Sequence, residues 1–323
     1  MFAPLQVYCT GIDAPSANAG LLIDNDPPGA AATVPPLPAR PTSATESTTA
    51  RTIHRKDLRQ DLEATSESYF RRRSGDATLL SVHFAWEQLT DSVHRCRLPF
   101  CDVTVGMVQG RTGTLLIDTG TTLAEAAAID HDVRQIAGCP VTHVVLTHKH
   151  FDHVLGSSLF AEADIYCAPE VVEYLSSGAD QIRDDALHHG ADAAEIDRAI
   201  AVLGPPQQAN YQSTYQADVN LGNRTATITH PGRGHTTSDL IVVVPGPDDD
   251  DSRLVVFTGD LVEESADPAI DADSDIAAWP ATLDRVLAIG GPDALYVPGH
   301  GRVVDAGFIR SQRDWLKAFG PCR

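Results

Sequence analysis

The chain has 323 residues, of which 42% are hydrophobic, so it is long enough to bury a sizeable core. It carries 44 acidic against 24 basic residues, a formal net charge of −20, and a surface of that sign repels long anionic polymers. These numbers exclude nucleic acid as the expected partner, and no apolar run approaches the length that crosses a bilayer, so we expect no membrane partner either.

The first 78 residues are expected to form an N-terminal extension that is largely disordered or loosely packed. Residues 14–49 are dominated by Pro, Ala, Ser and Thr without periodicity, a composition that cannot bury enough apolar surface to order a segment. Residues 51–73 are more charged, and their apolar side chains have the spacing of an amphipathic helix that packs beside the next domain. The alternative is that the true start lies further downstream and part of this segment is never made.

Residues 79–323 are expected to form one catalytic domain in which strands and helices alternate. Strands are predicted near 80–90, 102–109, 114–118, 141–147, 225–230, 240–245, 254–258 and 294–298. Helices are predicted near 121–137, 154–160, 169–177, 192–203, 279–290 and 306–319. The region 168–212 is predicted to be a helical insertion, and we hypothesise that it acts as a lid.

The segment Thr147–His153 (THKHFDH) holds three imidazoles and one carboxylate in six consecutive positions. It follows Val141–Leu146, an apolar and β-branched run that predicts a buried strand, so the cluster is expected on a loop. Zinc binds imidazole nitrogen and carboxylate oxygen, and catalytic zinc sites leave one coordination position open for water. The segment therefore predicts a hydrolytic metal site, with a solvated histidine-rich turn as the alternative.

Three further metal-binding side chains, His235, Asp260 and His300, each follow an apolar run and stand next to glycine. Glycine lets the backbone turn sharply and bring a ligand close to other loops without a Cβ clash. Four strand exits that each deliver such a side chain predict loops that converge on a common edge of a layered α/β sandwich.

The order of these motifs resembles that of the metallo-β-lactamase-fold hydrolase superfamily. The series is His-x-His-x-Asp-His at 148–153, Gly-His-Thr at 234–236, Gly-Asp at 259–260 and Pro-Gly-His-Gly at 298–301. Leu116–Gly120 (LIDTG) also resembles the early strand and turn of that family. The resemblance covers the chain from Leu79 onwards and implies an α/β fold, a four-layer αββα sandwich.

The resemblance also implies a site for two divalent metal ions, expected to be Zn²⁺, with Fe or Mn as alternatives. One ion would be held by His148, His150 and His235, the second by Asp152, His153 and His300, with Asp260 bridging them. Two cations about 3.5–4 Å apart repel each other, and a bridging carboxylate offsets that repulsion. Asp152 is in addition the expected catalytic residue, because it would orient the nucleophile. Asp118 is expected to support the segment 147–153, called the metal loop below, through hydrogen bonds.

The expected function is that of a dinuclear metal-dependent hydrolase in which a metal-bridging hydroxide attacks a small ester, thioester or lactone. A carboxylate at the bridging position resembles the glyoxalase II, lactonase and phosphodiesterase members, whereas true metallo-β-lactamases usually have cysteine or serine there. No Gly-x-Ser-x-Gly motif suggests a serine hydrolase. The alternatives are a di-iron redox protein of the same fold, a small-molecule phosphodiesterase and a β-lactamase.

The six cysteines contain no CxxC pair, so we expect reduced thiols. The N-terminus lacks a basic start followed by a long apolar run, and a cytoplasmic location is therefore expected. A small-molecule substrate is the one predicted partner, and the sequence leaves the oligomeric state open.

Overall fold

Two β-sheets and seven α-helices make up the part of the chain that the computed structural model describes, residues 82–203, 211–246 and 253–319. The strands are β1 Glu87–Thr90, β2 Val93–Arg97, β3 Thr104–Gln109, β4 Thr114–Ile117, β5 His143–Val145, β6 Asp164–Cys167, β7 Tyr211–Ser213, β8 Gln216–Asn220, β9 Thr225–Thr229, β10 Ile241–Val244, β11 Val255–Glu263 and β12 Leu295–His300. The helices are α1 Leu123–Ala137, α2 Phe151–Val154, α3 Pro169–Ser177, α4 Ala179–His188, α5 Ala193–Val202, α6 Trp279–Gly290 and α7 Ala306–Phe319, and a 3₁₀ helix spans Leu155–Phe160. The expected N-terminal extension and its amphipathic helix lie outside the described residues.

The first sheet has seven strands in the order β1-β2-β3-β4-β5-β6-β7, and the second has five in the order β12-β11-β10-β9-β8. Successive side chains along the strands of the second sheet belong to two different hydrophobic clusters, because neighbouring residues of a strand point to opposite faces of the sheet. Val242 and Phe257 pack in the main core between the sheets, whereas Ile241 and Val256 pack with α6 and α7 on the outer face. Helices α1, α3, α4 and α5 pack with the first sheet. The four-layer αββα sandwich expected from the sequence is thus confirmed.

The parallel strand pairs determine where the functional side chains lie. Strands β4, β5 and β6 are parallel, with Leu116 opposite Val144 and Val144 opposite Ile165. Strands β11 and β12 form the parallel pair of the second sheet. The carboxyl ends of parallel strands share one edge of a sheet, so the segments that follow β4 and β5 lie beside each other, as do the ends of β11 and β12.

Several element boundaries differ from the sequence-based predictions. The first strand begins at Glu87 and is followed by β2, which was not predicted; β6, β7, β8 and α4 were not predicted either. His150 is the N-cap of α2, so Asp152 and His153 lie in a short helix rather than on a loop. Asp260 and His300 lie within the extended ends of β11 and β12 rather than just beyond them.

No helix among the described residues combines the length and the apolar character that a membrane crossing needs. The four cysteines in this part of the chain, Cys96, Cys101, Cys139 and Cys167, are free thiols.

Candidate metal centre

All seven side chains that the sequence analysis singled out as metal ligands converge on one place. His148, His150, His235 and Asp260 offer ligand atoms within 4.8 Å of one another, and Asp152, His153 and His300 form a second such group. Six of the seven are buried, and His150 is half-buried. The segments after β5, between β9 and β10, and at the ends of β11 and β12 therefore meet, as the motif pattern predicted.

The carboxylate of Asp260 lies between the two groups. Its Oδ2 is 3.5 Å from His148 Nε2, 3.4 Å from His235 Nε2 and 3.2 Å from His300 Nε2. Its Oδ1 is 3.3 Å from His153 Nε2. One carboxylate thus contacts imidazoles of both groups, which is the arrangement that a bridging ligand needs.

Distances between the candidate ligand atoms match those around a tetrahedral metal ion. Two ligands that each lie 2.0–2.1 Å from a tetrahedral zinc are about 3.4 Å apart. In the second group, His300 Nε2 lies 3.3 Å from His153 Nε2 and 3.4 Å from Asp152 Oδ2. In the first group, His235 Nε2 lies 3.4 Å from Asp260 Oδ2, whereas it lies only 2.8 Å from His150 Nδ1, closer than two ligands of one zinc ion. A cation between such closely spaced electron-pair donors would stabilise the arrangement.

Two buried polar atoms of the candidate ligands lack a hydrogen-bond partner within the described residues. They are His148 Nε2 and Asp260 Oδ1. Leaving a buried polar atom unsatisfied costs about 1–3 kcal/mol, so such atoms usually mark a bound water or ion. The residues present therefore fit metal ions, and both the donor types and the donor spacing agree with that conclusion.

In four of the five histidines the ring nitrogen that faces away from the centre lies within hydrogen-bonding distance of an oxygen, and in His150 it faces a carboxylate oxygen at a longer distance. The pairs are His148 Nδ1 with Thr147 Oγ1 at 3.0 Å, His153 Nδ1 with Asp118 Oδ2 at 2.9 Å, His235 Nδ1 with the carbonyl of Ala269 at 3.2 Å, His300 Nδ1 with the carbonyl of Cys101 at 2.6 Å, and His150 Nε2 with Asp273 Oδ2 at 3.7 Å. Oxygen contacts of this kind orient metal-binding imidazoles and select their tautomer. Four histidines consequently present Nε2 to the centre, and His150 presents Nδ1.

Burial and neighbouring charges set the protonation states at the centre. Burial lowers the pKa of His148 well below its ordinary value and that of His235 to about 4. Burial alone would raise the pKa of Asp260, but the neighbouring His153 and His300 outweigh it and hold that pKa well below its usual range. Burial likewise opposes protonation of His300, yet Asp260 raises its pKa to about 10. Neutral His148 and His235 and an ionised Asp260 are the forms that bind a metal ion, whereas His300 must lose its proton when a metal ion binds.

Asp118 supports the metal loop, as the sequence analysis expected. Its carboxylate accepts hydrogen bonds from the backbone N–H of Thr147 at 2.8 Å and from Thr147 Oγ1 at 2.9 Å, in addition to its contact with His153. Asp118 has a φ of 60°, and aspartate tolerates this left-handed conformation better than most residues. One buried carboxylate therefore connects the end of β4 to the first and last parts of the metal loop.

Replacing Asp118 by alanine is expected to lower the free energy of unfolding by about 2–4 kcal/mol, because a buried N–H and a hydroxyl lose a charged acceptor. Zinc affinity is expected to fall by about 10–100-fold, since His153 loses the oxygen that orients it. Urea unfolding of the metal-free protein and zinc competition with a chelator measure the two effects. The exposed Asp293→Ala provides the control, and an Asp118→Ala protein that matches it in both measurements would refute this role.

Other contributors to the site were missed by the sequence analysis. Asp273 is one of them, and its Oδ2 lies 2.8 Å from Lys149 Nζ. The carbonyls of Ala269 and Cys101 are the others, and a backbone carbonyl leaves no signal in a sequence. The acidic composition of the segment after β11 was the one available indication of Asp273, and it does not single that residue out.

The helical insertion borders the centre on one side. Lys149 Nζ lies 5.5 Å from the centroid of the Tyr174 ring in α3. The His189 ring, next to the end of α4, lies 5.4 Å from the Phe151 ring in α2. These contacts bring the insertion next to the metal loop, and its function as a lid stays a hypothesis.

A separate group of metal-binding residue types, His83, His131 and Asp132, has a structural explanation. The buried Asp132 accepts hydrogen bonds from the backbone N–H of His83 at 2.7 Å, from that of Phe84 at 2.9 Å and from Trp86 Nε1 at 3.0 Å. This carboxylate therefore fastens the segment before β1 to α1.

Comparison with known proteins agrees with the geometry. The family model of the metallo-beta-lactamase superfamily matches residues 98–300, which is more than half of the chain. Metallo-beta-lactamase type 2 of Bacillus cereus is 26% identical over 179 residues, 55% of this chain and 58% of that protein. Metallo-beta-lactamase domain-containing protein 1 of Xenopus laevis is 29% identical over 216 residues, 65% of this chain and 77% of that protein. The chain thus spans 58% of the length of the Bacillus relative.

Solved structures share the fold at low sequence identity. The crystal structure of VMB-1 at pH 5.5 aligns with a TM-score of 0.55 and 18% identity, over 75% of this chain and 100% of that one. The crystal structure of DIM-1 metallo-beta-lactamase exposed to ceftazidime aligns with a TM-score of 0.52 and 14% identity, over 73% of this chain and 98% of that one. At these identities the likeness concerns the fold alone.

Proposed function

The chain belongs to the metallo-β-lactamase superfamily of metal-dependent hydrolases, and on that premise we propose that it is a dinuclear enzyme that hydrolyses a small ester, thioester or lactone. One observation carries the proposal, the position of Asp260 between two groups of metal-binding side chains. Zn²⁺ is the proposed metal because imidazole nitrogen and carboxylate oxygen are both ordinary zinc ligands, and catalytic zinc sites commonly combine them. Fe and Mn remain the alternatives.

In this proposal, bound metal ions would supply a water that is deprotonated near neutral pH and a Lewis acid for the substrate carbonyl. The protein holds three imidazoles on one side of Asp260 and two imidazoles with Asp152 on the other. Asp152 is the proposed catalytic residue. Its buried carboxylate would accept a hydrogen bond from the attacking water and so direct the lone pair of that water at the carbonyl carbon.

The preference for a carbonyl substrate rests on two features of the chain. Asp260 is a carboxylate where the resemblance implies cysteine or serine in the true metallo-β-lactamases. The net charge of −20 disfavours polyanionic substrates, and a small molecule is therefore the proposed partner. Hydrolysis of β-lactams is the second candidate, because relatives from Bacillus and Bacteroides fragilis carry the name metallo-beta-lactamase type 2.

Purified protein loaded with zinc is expected to contain about two zinc ions per chain, as two separate ligand groups require. Removing the metal with a chelator should abolish hydrolysis, and adding zinc back should restore it. A panel of thioesters, lactones, simple esters, phosphodiesters and β-lactams is expected to give the highest kcat/KM with one of the first three classes. Activity that survives complete metal removal would refute the proposal, and a β-lactam or phosphodiester as the best substrate would refute its substrate class.

Protein isolated without added metal tests the redox alternative. A colourless preparation that turns over the panel after zinc loading agrees with the hydrolase. A coloured preparation that holds two iron ions and accepts electrons would instead favour the di-iron redox protein.

A further inference from the structure

We propose that Asp273 is a positioning residue that makes His150 present Nδ1 to the metal centre, and that Lys149 holds Asp273 in place for this purpose. The inference rests on the proposed metal-dependent function. It concerns a residue that none of the sequence motifs contains, in the segment between β11 and α6.

His150 differs from the other four histidines of the centre in the nitrogen that it presents. Its Nδ1 lies 2.8 Å from His235 Nε2, whereas its Nε2 faces Asp273 Oδ2 at 3.7 Å. A neutral imidazole can bind a metal ion through Nδ1 only when its proton is on Nε2. A carboxylate next to Nε2 favours that tautomer and also fixes the rotation of the ring.

Lys149 keeps the carboxylate of Asp273 in position. Its Nζ lies 2.8 Å from Asp273 Oδ2, and the side chains are 22% and 25% exposed, respectively, so water screens this ion pair less than a pair on the open surface. The same Nζ lies 5.5 Å from the Tyr174 ring centroid, within the range of a cation–π contact. Lys149 thus connects the metal loop, the segment that contains Asp273 and the helical insertion.

The backbone around Asp273 is held by its own contacts with the His235 loop. Ser274 Oγ donates a hydrogen bond to the carbonyl of His235 at 2.7 Å, and the N–H of Asp275 donates to the carbonyl of Gly234 at 2.8 Å. Asp273 is therefore attached to the same loop as His235, whose Nε2 lies 2.8 Å from His150 Nδ1. This attachment gives Asp273 a fixed position relative to the first ligand group.

A metal ion held by His150, Asp271 and Asp273 is the competing explanation, since their ligand atoms also lie within 4.8 Å of one another. The ammonium group of Lys149 already occupies the position next to Asp273 Oδ2, and a second cation there would be repelled. The geometry consequently favours a positioning role over a further metal site.

The test compares Asp273→Ala with Asp271→Ala in the full chain. Asp271 is the matched control because it is an exposed carboxylate of the same segment and close to the same histidine. Zinc affinity is measured by competition with a chromophoric chelator, zinc content by elemental analysis, and the folding of the metal-free protein by urea unfolding. Asp273→Ala is expected to bind its more weakly held zinc about 10–100-fold less tightly than the wild type, whereas Asp271→Ala should stay within about twofold.

Two more variants separate positioning from folding. Asp273→Glu keeps the charge and should recover part of the lost affinity, and Lys149→Met should reduce the affinity by a smaller factor than Asp273→Ala.

Wild-type affinity in Asp273→Ala, or an equal loss in Asp273→Ala and Asp271→Ala, would overturn the inference. So would a third zinc ion in the wild type that is absent from Asp271→Ala. If Asp273→Ala does not fold, an unchanged affinity in Lys149→Met would overturn it instead. A wild-type protein that binds no metal would refute the proposed function itself.

Discussion

Alanine in place of Asp260 is expected to slow hydrolysis by about 10²–10³-fold, because removing one preorganised electrostatic group from a buried catalytic site lowers kcat by about that factor. Zinc content is expected to fall from about two ions per chain to about one or fewer, since the two cations lose the anion between them. The structural basis is the contact of this one carboxylate with His148, His235 and His300 through Oδ2 and with His153 through Oδ1.

Elemental analysis and steady-state rates with the best substrate of the panel measure both effects. Asp267→Ala is the matched control, because it removes an exposed carboxylate a few residues along the same chain segment. Asp260→Asn keeps the size and removes the charge, and it is expected to resemble Asp260→Ala. An Asp260→Ala protein that holds two zinc ions and keeps more than a tenth of the activity would show that the bridging assignment is wrong.

The positions of the candidate ligands could be predicted from the sequence because each lies in a recognisable local context. His148, His150, Asp152 and His153 follow an apolar run directly, and His235 and His300 stand next to glycine. The local contexts do not show that these segments converge, because convergence follows from how the strands of the sandwich pair. It depends on the parallel pairing of β4 with β5 and of β11 with β12, which brings the ends of those strands together.

The strand boundaries at the site could not be predicted, because the residues there are of types that usually form loops. Gly259 in β11 and the Pro298–Gly299 pair in β12 are turn-forming residue types, so both strands were expected to end before them. The structure accommodates these residues by shifts in the β11–β12 register after Phe257 and after Gly259. Such bulges often redirect side chains near active sites.

The strand β2 was missed for a different reason. Its sequence VHRCR contains two arginines and a histidine, which disfavour a buried strand when only the pattern is considered. Arg95 is nevertheless buried, because its Nη1 donates to the carbonyl of Gly301 at 2.8 Å and its Nε to Glu87 Oε2 at 2.8 Å. Gly301 is distant in the sequence, so the hydrogen bond that stabilises the buried guanidinium of Arg95 cannot be inferred from the sequence around β2.

Replacing Gly299 by alanine is expected to damage the centre without removing any ligand. A Cβ at this position would lie 1.7 Å from Asp260 Oδ1 and 2.9 Å from the carbonyl carbon of Gly259, closer than real contacts allow. Either the carboxylate of Asp260 rotates away from the two ligand groups or β11 and β12 move apart. We expect activity and zinc affinity to fall by at least about 100-fold, and the free energy of unfolding by about 1–3 kcal/mol.

Gly307→Ala is the matched control for this substitution. Gly307 is exposed in α7, and the nearest atom to an added Cβ is Oδ1 of the exposed Asp305 at 3.0 Å. Alanine favours a helix interior over glycine by about 1 kcal/mol, and in this first turn we expect the preference to offset the close approach to Asp305, so the variant should be about as stable as the wild type and equally active. Normal zinc content and rates in Gly299→Ala would mean that Asp260 acts from a position other than the one between the ligand groups. If Gly299→Ala loses activity and zinc while Gly307→Ala keeps both, the activity depends on the close approach of β12 to the Asp260 carboxylate.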